Sequence, residues 1–270
     1  METTLVYSVP FGCSFAAIAA LEWSGLPFQL ARVEARDPAS KEHPAFLAIN
    51  PLGQTPALLT HAGTPLLESM AILLHLAARA PDSQLGFAQG TQEYDRLNSV
   101  LSFLHTTFHA AFMPAFQASR AAAGDARAAV WREMAVAKVN KSLAHLERLL
   151  AGRAWLASDA TPTIADAYLA ATARWAEPLQ LARLADYRHV ARVLAALEQD
   201  PGIRFAHAIE DGLPAASQGG VLGHVALDQL ATPAGYPAVN SRLDCLFIAM
   251  MSSCRRYSRP RQYHIDNVAI

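Results

Sequence analysis

Cysteine is scarce in this chain: Cys13, Cys245 and Cys254 are its three thiols, spread widely over 270 residues. That spacing fits neither a disulfide framework nor a zinc pattern, so a reducing, cytoplasmic setting is expected. There is no Cys-x-x-Cys pair, which disfavours a dithiol oxidoreductase. Long apolar runs are missing as well. None approaches the roughly 18 residues of a membrane-spanning helix, so no stable membrane insertion is expected. The opening Met1-Glu2-Thr3-Thr4 puts no basic stretch before an apolar core, and no secretory signal is expected from it. An excess of one charge is also lacking. The 22 Lys and Arg against 23 Asp and Glu leave a formal net charge of −1, which offers nucleic acid no global attraction. Hydrophobic residues make up 52% and charged ones 17%, so the chain is expected to fold, as one large or two ordinary domains.

Leu5-Val6-Tyr7 is a strand candidate closed by Pro10 and Gly12. From Ser14 onward, Phe15, Ile18, Ala19, Leu21 and Trp23 recur at helical spacing until Gly25 and Pro27 stop the helix. Phe28 to Val33 reads as a second strand, which completes a βαβ unit with a parallel pair. Residues 34–44 are charged and irregular. Ala57-Leu58-Leu59 and Pro65-Leu66-Leu67 flank a glycine turn and predict a hairpin. A helix is predicted from Ser69 to Ala78, with Ile72, Leu73 and Leu76 as its apolar stripe. This order is the thioredoxin-like arrangement.

Beyond Gly86 strand signals vanish. Helices are predicted from about Thr91 through Phe112, broken by Pro114, from about Ala126 to Leu150, and from about His189 to Glu198. Another opens at Thr163, where Thr-Ile-Ala-Asp resembles a capping box with Asp166 in place of the usual Glu or Gln. The expected fold class is therefore α/β plus all-α. An N-terminal thioredoxin-like domain (1–81) is followed by a C-terminal helical bundle domain (88–212). Residues 213–270 lose periodicity among glycines and prolines and carry a basic cluster, Arg255, Arg256, Arg259 and Arg261. They are expected to form a poorly ordered extension that packs little on the core.

Cys13 precedes the first helix, whose free N–H groups and dipole favour an anion. A thiol there is expected to ionise more readily than an ordinary one, whose pKa is about 8.5. The plainer reading is a small buried hydrophobe. Gln54-Thr55-Pro56 precedes a strand after a sharp turn. Its proline is either an ordinary strand opener or a cis bond that turns the Thr55 backbone toward an extended peptide ligand. Glu68-Ser69 starts a helix, with Ser69 as N-cap. The same pair suits an α-amino-acid head group, its carboxylate at the helix N-terminus and its ammonium at Glu68. His105 and His109 share a helical face, but no third ligand accompanies them, so no metal site is expected.

Three collinear motifs resemble those of the glutathione S-transferases. They are Asn50-Pro51-Leu52-Gly53-Gln54-Thr55-Pro56-Ala57-Leu58, Glu68-Ser69-Met70-Ala71-Ile72, and Thr163-Ile164-Ala165-Asp166-Ala167-Tyr168-Leu169. The resemblance covers about residues 4 to 212. Phe11-Gly12-Cys13-Ser14 points to the bacterial beta class, and Thr106-Thr107-Phe108-His109 is similar to that class's histidine segment. The resemblance implies conjugation of the glutathione thiolate to small hydrophobic electrophiles, with thiol–disulfide exchange through Cys13 as a second chemistry. Glutathione is then a co-substrate, no further cofactor is implied, and a homodimer is expected. Cys13 would face the glutathione sulfur, with His109 as its catalytic partner. Gln54, Thr55 and Pro56 would hold the backbone, Glu68 and Ser69 the γ-glutamyl end, and Thr106 would approach from the helical domain. The electrophile is expected against Phe11, Phe112 and Phe116. Ala110, Leu52 and Pro38 depart from the class by standing where basic residues are common, which leaves Arg36 or Lys41 for the glycyl carboxylate. The alternatives are a glutathione-dependent thiol transferase or peroxidase, and a non-catalytic transferase-like interaction module.

Overall fold

The computed structural model describes residues 1–231. The basic cluster at 255–261, Cys245 and Cys254 lie outside the described residues.

Strands β1 (Thr3–Val9) and β2 (Pro27–Glu34) pair in parallel around helix α1 (Phe15–Ser24), as the alternation of strand and helix signals requires. Gly25 closes α1 with a φ of 67°, a conformation other residues adopt only at a cost. Residues 34–44, read as irregular, contain the short helix α2 (Pro38–Lys41), and α3 (Pro44–Ile49) follows it. Each begins at a proline, which suits a first helical turn because its N–H has no helical partner there. Strands β3 (Ala57–Leu59) and β4 (Pro65–Leu67) form the expected antiparallel hairpin, and α4 (Ser69–Arg79) follows. The fold class expected from the sequence is the one observed.

The helical part departs from expectation in detail. The predicted long helix is α5 (Gln92–Phe103) followed by a π-helical turn, Leu104–His109. Pro114 does not end helical structure; it opens α6 (Met113–Ser119). Next come α7 (Arg127–Leu149), α8 (Ile164–Ala173) and α9 (Arg188–Leu197). A further helix, α10 (Pro201–Asp211), starts at a proline just beyond α9. The capping box is present: the buried Asp166 carboxylate accepts from the Thr163 N–H at 2.8 Å and from its hydroxyl at 2.9 Å.

The largest correction concerns residues 213–231. They are not a loose extension. Strand β5 (Gly220–His224) adds in parallel to β2, giving the sheet order β4-β3-β1-β2-β5. Beyond it, Val225, Leu227 and Leu230 close a small second core with Phe46, Ile49, Val33 and Ala57. The approach to β5 is pinned by Glu22, a carboxylate only 6% exposed. It accepts from the Ser217 hydroxyl at 2.7 Å, the Gly219 N–H at 2.9 Å and the Gln218 N–H. Periodicity was silent because a five-residue strand with two glycines carries little hydrophobic pattern.

Glu22→Ala leaves these donors without their acceptor inside the fold. It is expected to cost about 2–3 kcal/mol, read as a lower urea midpoint. An unchanged midpoint would show that β5 does not contribute to stability.

Candidate active site

Cys13 lies in the loop between β1 and α1, two residues before the first helical turn. Gly12 is needed beside it: a Cβ at that position would stand 2.6 Å from the Ser8 carbonyl oxygen. The Cys13 thiol donates to the Thr55 carbonyl oxygen at 3.6 Å and has the Ser69 hydroxyl as a second neighbour. The Thr55–Pro56 peptide is cis. Thr55 is held from the other side by its own hydroxyl, which donates to Ser8 Oγ at 2.6 Å.

A cavity of about 120 Å³ opens over the thiol. Cys13, Gln54, Thr55, Pro56, Glu68, Ser69 and His109 all line it, as do Asn50 and His105. Asn50 shapes the turn by donating from Nδ2 to the Gln54 carbonyl oxygen at 2.7 Å. Gln54 also borders a second hollow of about 570 Å³, which Arg36 and Lys41 line. Gln54 is thus shared between the thiol cavity and a hollow that carries two cations.

At α4 the roles of two residues are exchanged relative to expectation. Ser69 is the first helical residue and Glu68 is the N-cap, with no side-chain capping bond. Glu68 has a φ of 70°, a backbone conformation rare for a residue with a Cβ and concentrated at functional sites. Its carboxylate is largely exposed and stands 3.8 Å from His105 Nε2.

Behind the thiol, Tyr168 links both histidines. Its hydroxyl lies 2.7 Å from His109 Nδ1 and 3.1 Å from His105 Nδ1. Burial pushes the Tyr168 phenol far up, so it stays protonated. It has one proton to give. It therefore donates to at most one of the two ring nitrogens, and at least one histidine donates to the phenol oxygen from Nδ1–H. Burial, aided by His105, pulls His109 down to about 4, so it is neutral at pH 7.

The expected acidic thiol is not found. Burial pushes Cys13 up, against the pull of the Ser69 hydroxyl, and the Glu68 carboxylate adds to the rise. The thiol sits before α1 and spends its proton on the Thr55 carbonyl, so the helix N-terminus does not compensate its desolvation.

Other expectations also change. Thr106 does not reach this cavity. It borders a separate hollow of about 640 Å³ with Phe103, Lys138, Lys141 and His145, and its hydroxyl donates to the Ser102 carbonyl. That expectation rested on the family resemblance; Thr106 stands exposed on the π-helical turn. Phe112 is fully buried and packs on Phe108 and Trp175, which removes it from any open subsite. Phe116 is partly buried against Trp175, and Phe11 is 55% exposed. One group was missed, Tyr168, quoted only as part of a helix motif; His105, a solvent-facing or cleft histidine by the sequence, lines the cavity. The spacing of His105 and His109 was the available signal. Among the described residues no cluster suits a metal ion, and no helix is long and apolar enough to cross a membrane.

The glutathione S-transferase N-terminal domain matches residues 12–79, and the family's C-terminal domain matches residues 129–197. A glutathione S-transferase of Xanthomonas campestris pv. campestris is 35% identical over 171 residues, 63% of this chain and 81% of that protein. This chain belongs to the glutathione S-transferase family. The transferase also superimposes on a sphingomonad glutathione S-transferase complexed with glutathione. The two share 34% identity at a TM-score of 0.67, over 77% of this chain and 98% of that one. A bacterial beta-class enzyme of Sphingomonas chungbukensis is 30% identical, with a TM-score of 0.67 over 77% of this chain and 98% of its own.

The buried histidine makes the transferase sensitive to acid. Unfolded, His109 titrates near 6.5; folded, it titrates at about 4. Between these values the unfolded chain takes a proton that the folded one refuses, so stability falls as pH drops through that window. The loss is about 3 kcal/mol at most. His109→Asn is expected to flatten that part of the curve in urea titrations. Identical slopes for both proteins would place the titration elsewhere.

Proposed function

We propose that the transferase binds glutathione with its sulfur at Cys13 and conjugates it to small hydrophobic electrophiles. Supporting this is one arrangement above all: a neutral thiol between the Thr55 carbonyl and the Ser69 hydroxyl, in a cavity with Glu68 on its rim. The Glu68 carboxylate suits the γ-glutamyl ammonium, and the first turn of α4 at Ser69 suits the α-carboxylate. Arg36 and Lys41, on the hollow beyond Gln54, suit the glycyl carboxylate. For conjugation, glutathione must hold its sulfur as thiolate. A neutral Cys13 puts no repelling charge beside it, and its S–H turns from the Thr55 carbonyl to the glutathione sulfur. The neutral His109 and the Ser69 hydroxyl add polar groups to the same cavity. To the apolar electrophile we assign the exposed Phe11 and the partly buried Phe116. The setting we propose is a reducing cytoplasm, without a cofactor beyond glutathione. A homodimer is proposed too; the exposed Met113, Val130 and Met134 on α6 and α7 offer apolar surface for it.

Thiol–disulfide exchange is the second chemistry, favoured by Cys13 itself. The Cys13 sulfur attacks the glutathione sulfur of a mixed disulfide between glutathione and another thiol; that sulfur–sulfur bond breaks as a Cys13–glutathione disulfide forms. The displaced thiol leaves with the Cys13 proton. A glutathione thiol then attacks the Cys13–glutathione disulfide, releasing oxidised glutathione and returning its proton to Cys13.

Cys13→Ala is expected to abolish disulfide exchange and its glutathione adduct by mass spectrometry, and to lower conjugation only in part. Full loss of conjugation would make Cys13 indispensable there and overturn its role as an auxiliary donor. Glu68→Ala removes one charge-assisted contact of about 1.5–3 kcal/mol, so glutathione should bind roughly ten- to a hundred-fold more weakly by calorimetry. Unchanged affinity would remove Glu68 from the γ-glutamyl site.

A further inference from the structure

The thiol loop is gripped from outside its own domain. Arg174 and Trp175 follow α8, and neither lines the Cys13 cavity. Arg174 Nη2 donates to the Gly12 carbonyl at 2.9 Å, and Trp175 Nε1 donates to the Phe11 carbonyl at 3.0 Å. These two carbonyls directly precede Cys13 in the chain.

Arg174 is itself fixed on every side. Its Nη1 and Nη2 meet the Glu210 carboxylate at 2.6 and 2.9 Å, and its Nε donates to the Ala171 carbonyl at 3.2 Å. The guanidinium lies 4.2 Å over the Phe15 ring and 5.4 Å over the Phe11 ring. The Arg174 and Glu210 side chains are only 14% and 6% exposed. A guanidinium enclosed in this way presents its donors in a rigid plane, unlike a solvated surface charge. Opposite it, Phe11 has a φ of 55°, which a bulky residue rarely adopts without outside support. The two carbonyl contacts supply that support.

We infer that Arg174 and Trp175 are positioning residues for Cys13, holding the loop so that the thiol meets the Thr55 carbonyl and the Ser69 hydroxyl. The inference rests on the assignment of Cys13 as the thiol site. It makes the helical part of the chain a component of the thiol's geometry: the grip comes from the end of α8, and Glu210 of α10 braces it. The charges around the pair fit this role, since Glu210 neutralises Arg174 and leaves the second Nη2 hydrogen for Gly12.

Two reactions of Cys13 separate positioning from stability. With oxidised glutathione, a sulfur–sulfur bond forms at Cys13 and glutathione thiol leaves with the proton; this requires a substrate seated on Glu68 and Ser69. With iodoacetamide, a sulfur–carbon bond forms and iodide leaves, and no seat is required. Trp175→Phe deletes one N–H and keeps an aromatic ring. The pair Arg174→Gln with Glu210→Gln leaves no buried charge unpaired. In each variant the ratio of the glutathione-disulfide rate constant to the iodoacetamide rate constant is expected to fall roughly tenfold, the scale of a small misplacement of a reacting atom. Arg174→Lys, which keeps a cationic donor, should recover part of that loss. A merely loosened fold would raise both rates and leave the ratio alone. Ratios within about twofold of the parent in Trp175→Phe and in the double variant overturn the inference, and if the double variant does not fold, Trp175→Phe decides. If the unmodified protein forms no glutathione adduct at Cys13, the thiol-site assignment falls, and the inference with it.

Discussion

Helix α1 has no polar face, and most of the molecule is arranged to cover it. Every residue from Phe15 to Glu22 is buried. A helix that is apolar all round must be enclosed by other elements. The sheet, α4, α8 and α10 supply that enclosure. The thioredoxin-like part and the helical part therefore share one large core in place of a thin interface. Glu22 is the polar exception on α1, and its carboxylate is used to tie in the chain that leads to β5.

The thiol site inherits its character from this enclosure. Cys13 stands where the loop enters α1, so it is surrounded by the same packing that buries the helix. Desolvation then sets the protonation of its neighbours: a neutral thiol, a neutral imidazole at His109 and a protonated phenol at Tyr168. Negative charge is left to Glu68, at the exposed rim. Sulfur chemistry in an uncharged, donor-lined pocket with ionic contacts kept at its edge is the electrostatic plan.

Much of the fold was legible in the chain. The βαβ unit, the hairpin and the Thr163–Asp166 box are patterns of consecutive sequence, the longest running from Thr3 to Glu34. The pair Glu68-Ser69 and the turn through Gln54 and Thr55, which meet at the thiol cavity, were legible as well. Thr106 and Phe112 were not placed correctly, because a family motif does not say which side chains open to the cavity: Thr106 lines another hollow and Phe112 is fully buried. Strand β5 escaped notice for a different reason: its pairing with β2 joins residues nearly two hundred positions apart, from Pro27 to Gly220, and short strands announce themselves only through such partners.

The sequence by itself determined the elements, their order and the residue types available at the thiol. It did so because helix caps, apolar periodicity and turn residues act over short stretches of backbone. Tertiary structure alone decided that Cys13 is a protonated donor, that Tyr168 joins two histidines, and that Arg174 holds the carbonyl of Gly12. That last contact spans 162 residues. Protonation and loop geometry depend on what is packed against a group and on how much water is excluded, and neither is written in its neighbours along the chain.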